Sequence, residues 1–185
     1  TDVWLQVLVM DAGSGALRSS VLLSTSPPLP HLVLNEVLAN AVGPEPEQEW
    51  VEIVNDGQVA AALGGWVVSD IGGEVALPDV LLNAGGYALI VNDDYDGSGK
   101  YDPAPAPDTL LVRVPKLGKN GLSNEGEPLE LTDPEGVVRS RFPKVPNPKA
   151  GRSVMRIQPL SPDDDEGSFV LGEEGASTPG GPNSS

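Results

Sequence analysis

From His31 onward the chain alternates short apolar runs with polar, Gly- and Pro-rich punctuation. Runs rich in Val, Ile, Leu and Trp with period-2 alternation predict strands over 31–38, 49–54, 65–69, 75–82, 86–91, 110–114, 128–132, 137–142 and 153–157. Between them, Gly43-Pro44-Glu45-Pro46-Glu47, Gly72-Gly73 and Asn83-Ala84-Gly85 read as turns or loops. The segment from Asn92 to Asp108 reads as a longer loop. No window carries a convincing helical period, and strands at this spacing predict an all-β Greek-key sandwich. Alternation from Trp50 places Trp50, Glu52 and Val54 on one face of their strand, with Val51 and Ile53 on the other.

The first thirty residues stand apart. Trp4–Met10 reads as a strand, Asp11-Ala12-Gly13-Ser14-Gly15 as a tight turn and Val21-Leu22-Leu23 as the return strand. A lone hairpin is marginal in water. It is therefore either the last hairpin of a preceding β domain, the preferred reading, or an extra hairpin docked on the main sandwich. Pro27-Pro28-Leu29-Pro30 then forms a stiff linker. The domain division expected is 1–30 for hairpin and linker, and 31–185 for the sandwich with an acidic, flexible C-terminal tail.

Composition narrows the function classes. The 185 residues include no Cys, which removes disulfides, thiolate metal sites and cysteine nucleophiles. The net charge is -16, a surface that repels phosphate backbones and argues against nucleic-acid binding. No run reaches the roughly 20 apolar residues of a spanning helix, so membrane insertion is not expected. The chain starts at Thr1 rather than Met, which points to a processed form or a fragment with any signal or anchor outside it.

Candidate chemistry is sparse. The loop Asn92-Asp93-Asp94-Tyr95-Asp96-Gly97 places oxygen ligands at alternate positions before a glycine, like the opening of an EF-hand loop. Asn92, Asp94 and Asp96, with Asp102 as a distal ligand, form the candidate Ca2+ site. Against it, the first ligand is Asn, Pro103 stands where Glu is usual, and no helices flank the loop; otherwise the stretch is a solvated acidic turn. Arg139, Arg141, Lys144, Lys149, Arg152 and Arg156 fall in a window without acids between Glu135 and Asp163. Of these, Arg139, Arg141, Lys144 and Arg152 make a candidate patch for an anionic partner, or the ordinary polar face of a sheet. Asp163-Asp164-Asp165-Glu166 reads as a flexible acidic loop or a weak cation site. Glu36, Glu49 and Glu52 allow a carboxylate-pair reading for glycoside hydrolysis. Acids that bind backbone N–H groups and the guanidinium groups of Arg152 or Arg156 are the stronger reading. His31 is the only histidine, and neither a nucleophile elbow nor a phosphate loop accompanies it, so no enzyme is expected. Asn183-Ser184-Ser185 matches a glycosylation sequon.

Five strings occur in a telling order: Leu34-Asn35-Glu36-Val37, Glu49–Asn55, Leu63-Gly64-Gly65-Trp66 through Asp70, Gly151-Arg152-Ser153-Val154-Met155-Arg156, and Thr178-Pro179-Gly180-Gly181-Pro182-Asn183. In that order they resemble the lamin tail domain, a module of intermediate-filament lamins and of many bacterial surface and secreted proteins. The resemblance implies an immunoglobulin-like Greek-key sandwich, with Glu36, Trp50, Glu52, Trp66 and Arg156 as structural signature residues. Phe169 stands where the family often has another aromatic, and the Asn92–Asp108 loop is a local elaboration. Acids at the Glu36, Glu49 and Glu52 positions occur in that family without glycosidase activity. The function implied is a non-catalytic extracellular or cell-surface interaction module within a larger exported protein, with a protein or cell-envelope component as partner and calcium as a candidate stabiliser. The alternative is a carbohydrate- or cell-envelope-binding accessory module of a secreted enzyme. An exposed aromatic platform near Tyr87, Tyr95 or Tyr101 would favour that alternative, and buried tryptophans the first reading.

Overall fold

The computed structural model describes residues 3–25, 28–145 and 149–184. Pro27, the side chain of Trp4 and Ser185 of the sequon lie outside the described set. At the N-terminal end, β1 (Val3–Met10) and β2 (Leu17–Thr25) pair antiparallel as expected. The Asp11 carboxylate closes their turn by accepting the N–H groups of Gly13 and Ser14 at 3.1 and 2.9 Å.

The remaining strands, in chain order, are β3 (Leu32–Leu38), β4 (Trp50–Asn55), β5 (Ala61–Ala62), β6 (Val67–Ser69), β7 (Glu74–Ala76), β8 (Leu81–Leu82) and β9 (Tyr87–Asn92). They continue with β10 (Leu110–Val114), β11 (Leu129–Thr132), β12 (Val138–Phe142), β13 (Val154–Arg156) and β14 (Phe169–Leu171). A six-stranded sheet runs β10-β9-β4-β3-β13-β14, and a four-stranded sheet runs β12-β11-β6-β7. Both feed one core. Leu34, Val51, Ile53, Ile90 and Val112 come from the first sheet, and Val68, Leu129, Leu131 and Phe142 from the second. Each such side chain contributes about 1.5–3 kcal/mol by leaving water. The protein is all-β, and two sheets around a common core are the arrangement of a β-sandwich.

Details of the strand pattern depart from the sequence reading. The single strand expected over 75–82 is two strands, because Pro78 cannot donate to a ladder. β7 stays with β6 while β8 turns away to pair with β5. The short β14, which follows an acidic run, extends the sheet beyond β13. The long loop after β9 has a topological reason: β10 pairs with β9 in parallel, so the chain must cross back before it can enter.

The six-stranded sheet is covered on both faces. Every residue of β3 and β4 is buried. Val51 and Ile53 face the main core, whereas Trp50 packs with Leu38, Ala41, Leu89, Val91 and Tyr95 on the opposite side. The split read from alternation is the one observed. The covers on that opposite side are the loop carrying Tyr95 and the closing segment Thr178–Asn183. That segment, expected as a flexible tail, is hydrogen-bonded to β3 and β4.

Candidate functional site

A dense polar cluster lies beneath the closing segment. It begins with a β-bulge in β3: Leu34 pairs with Ile53 and Glu36 with Glu52, so Asn35 is the extra residue. The bulge turns Glu36 onto the covered face, directly across from Glu52. Both glutamates are fully buried. Glu36 accepts the Ser153 hydroxyl at 2.5 Å, the Thr178 N–H at 3.1 and 3.2 Å, and the Thr178 hydroxyl at 3.0 Å. Glu52 accepts the Asn35 amide at 2.7 Å and the Gly180 N–H at 2.5 Å. Asn183 completes the cluster by donating to the carbonyls of Asn35 and Arg156 at 3.1 and 2.7 Å. Its amide is thus consumed by the fold, and a glycan on Asn183 would break this network.

Burial pushes the Glu36 carboxyl up, against the bonds from Ser153 and Thr178 that favour its charge. Burial pushes Glu52 up to about 8, with Asn35 and Gly180 opposing and the charge of Glu36 adding to the rise. Glu49, on the approach to β4, accepts the buried Leu122 N–H at 2.6 Å. Burial raises it to about 7, and the neighbouring Glu45, Glu127 and Glu47 add to the effect. Binding to backbone N–H groups is as expected for these acids. The expected arginine partners are not: Arg152 pairs with Glu173 at 2.8 Å and Arg156 with Asp163 at 2.7 Å.

Arg156 is the second organising residue. Its guanidinium is fully buried and donates to the carbonyls of Leu34 at 2.8 Å, Ser161 at 2.8 Å and Arg141 at 2.9 Å. It also lies over the Phe169 ring, 4.7 Å from its centroid. Its partner Asp163 also accepts the Arg141 N–H at 2.6 Å. Asp165 caps a 3₁₀ turn over Glu166–Ser168. The acidic stretch expected as a flexible loop is therefore anchored by Asp163 and Asp165.

The four calcium candidates do not converge. The Asn92 amide spans the Asp94 N–H at 2.9 Å and the Pro115 carbonyl at 3.0 Å. Asp96 accepts the Ser98 N–H at 3.0 Å, and Asp102 accepts the Val42 N–H at 3.1 Å. Asp94 is exposed. Among the described residues no group of three or more His, Cys, Asp or Glu is gathered for a metal.

The basic patch has the exposure expected, with Arg139 and Arg141 on the solvent face of β12 and Lys144 exposed beyond it. The fold nevertheless brings an acid to three of its members. Arg139 meets Asp133 at 2.5 Å, Arg141 meets Glu130 at 2.9 Å, and Arg152 meets Glu173. Beside it runs a feature with no sequence signal, an open groove of about 760 Å³ lined by Leu29, His31, Trp66, Asp133, Glu135 and Arg139. It adjoins a second hollow against Asp56 and Leu160. The His31 ring pairs with Asp56 at its edge, and Leu29 and Leu160 are 69% and 80% exposed there. Trp66 is half-buried in it, and Tyr95, which the platform reading would place at the surface, is buried.

No helix among the described residues is long and apolar enough to cross a membrane. A scan of the sequence against protein-family models finds no match, and a search of curated proteins finds none.

Proposed function

We propose that this chain is a non-catalytic interaction module of an exported protein, acting outside the cell or at its surface. The fold proposed is an immunoglobulin-like Greek-key sandwich of the lamin-tail type. The observation that carries the non-catalytic reading is the fate of the acids. Glu36, Glu49 and Glu52 are buried and occupied by the chain's own N–H and hydroxyl groups. A glycosidase needs two carboxyls flanking an accessible bond, and these three are closed to substrate. Signature residues support the same reading: Trp50, Glu36, Glu52 and Arg156 each hold the fold together.

The surface proposed for a protein or cell-envelope partner is the pair of hollows that meet at Leu29 and His31, one holding the half-buried Trp66 and paired charges and the other the exposed Leu160. Apolar contact ringed by polar groups is the usual make-up of a protein interface. Trp66 beside Asp133, Glu135 and Arg139 also supports the second reading, a carbohydrate-binding accessory module, since an indole face with neighbouring hydrogen-bonding groups suits a sugar ring. The two are separated by cosedimentation with isolated cell envelopes and with purified polysaccharides, using the parent chain and Leu29→Asp/Leu160→Asp. Saturable envelope binding lost in the variant, without polysaccharide binding, supports the protein-partner reading. Polysaccharide binding lost in Trp66→Ala supports the second. Turnover of a glycoside panel that disappears in Glu52→Gln would overturn the non-catalytic assignment.

A further inference from the structure

The cluster under the closing segment has a property that the interaction reading does not use. Two carboxyls face each other across β3 and β4 with neither exposed, and each is bonded to the segment that seals them. Their hydrogen-bond partners are Ser153, Thr178, Asn35 and Gly180, all uncharged. Sealing two like charges in one dry site without a cation is strongly unfavourable, which favours a protonated carboxyl on at least one member of the pair.

The ionisable groups on the elements packed around the pair do not change this. Tyr87 on β9 is a neutral phenol, itself pushed up by burial and then by Glu52. Arg156 on β13 directs its guanidinium to the Leu34 carbonyl and to Asp163. On the covering segments Asp108, Glu173 and Glu174 are exposed, and Glu173 is paired with Arg152. The 2.5 Å contact between Ser153 and Glu36 accommodates a neutral Glu36 carboxyl donating to the hydroxyl as well as the reverse.

We propose that Glu36 and Glu52 form a proton-held latch: the segment Thr178–Asn183 stays seated while the pair keeps its proton, and lifts from the sheet when both carboxyls ionise. The proton leaves to solvent, and water entering under the segment then hydrates both carboxylates. The rest of the sandwich stays folded, because the main core lies on the other face of the sheet. Burial raises both acids, Glu52 to about 8, and the Glu52 value places release on the alkaline side of neutrality. The two carboxyls are coupled, so their titration steps belong to the pair, and release follows the last of them. Beyond it, each pH unit favours release about tenfold per proton lost.

The test places a reporter at the end of the segment. The chain has no Cys, so Ser184→Cys at an exposed position accepts a single nitroxide label. Spin-label mobility and far-UV circular dichroism are followed together from roughly pH 6 to 10. The expected result is a reversible change from an immobile to a mobile spectrum above neutrality, with the dichroism unchanged. Adding Glu52→Gln removes one ionisation and keeps the label immobile across the range. Glu36→Gln removes the other and serves as the second variant should Glu52→Gln fail to fold. The proposal is overturned by a label that stays immobile in the parent chain, by release that persists unchanged in a folded variant, or by loss of dichroism coincident with release.

Discussion

Replacing Arg156 tests how the fold is held. Arg156→Met keeps much of the stem's volume and removes the guanidinium. The change strands the buried Leu34 carbonyl and leaves the Ser140 hydroxyl with the Leu34 N–H alone, while the Ser161 and Arg141 carbonyls lie nearer water. A buried acceptor left without a donor costs about 1–3 kcal/mol. Losing one partner of a buried ion pair costs about 3–5 kcal/mol. Asp163 is 31% exposed and recovers part of its hydration, which trims the second figure. The expected loss is about 3–4 kcal/mol, a large share of the about 5–15 kcal/mol that holds a typical domain. With a urea slope of about 2 kcal/mol/M, the midpoint falls by about 1.5–2 M. Urea unfolding followed by tryptophan fluorescence measures it, since Trp50 is buried. Arg156→Lys should recover less than half, because one ammonium cannot span acceptors on three segments. Asp163→Asn alone should cost about 1 kcal/mol, and the double-mutant cycle should show coupling between the two sites. A loss below about 1 kcal/mol for Arg156→Met would refute the assignment of Arg156 as the cross-brace.

Three further outcomes follow from the geometry. Glu49 and Glu52 are raised to about 7 and about 8, so the folded chain binds more protons than the unfolded one above about pH 4.5. Stability therefore falls as pH rises through that window. Thermal midpoints from roughly pH 5 to 9 should decline, and a flat or rising profile would count against the buried charges. Gly180 has φ 84°, and a Cβ there would overlap the Thr109 hydroxyl; Gly180→Ala should cost about 1–3 kcal/mol by thermal melting, and a neutral result would mean the closing segment is not seated as described. Calcium added after EDTA treatment should leave the midpoint unchanged, because Asn92, Asp96 and Asp102 already bind backbone groups. A saturable rise lost in Asp94→Ala/Asp96→Ala would show instead that the loop rearranges to gather its oxygens.

Much of the strand pattern was legible from local order. Alternation sorted Trp50 from Val51 and Ile53, and the runs at 110–114 and 137–142 stood close to the strands observed. What failed was pairing at long range. The window around Arg139, Arg141 and Arg152 lacks acids only along the chain; Asp133, Glu130 and Glu173 reach it through a hairpin and a returning loop. Glu36 and Glu52 were recognisable as N–H binders, yet their donors at Thr178 and Gly180 lie more than a hundred residues away. The calcium reading rested on oxygen spacing, and spacing does not report that a side chain is already engaged with its own backbone. The groove at His31 had no local pattern, because it is made by the approach of three separate segments.

The polar contacts of β3 also bear on how the chain acquires its shape during synthesis. Leu34 meets Ser140 across 106 residues and Arg156 across 122, and Glu36 meets Thr178 across 142. At about 5–20 residues per second, the ribosome delivers the partners of Glu36 roughly 7–30 s after the strand itself. Through that interval the strand waits with its acid unsealed, and the order of emergence makes the closing segment the last piece to lock. Contacts this distant in sequence slow folding. Substitutions at Thr178 or Asn183 should therefore speed unfolding while leaving the refolding rate almost untouched.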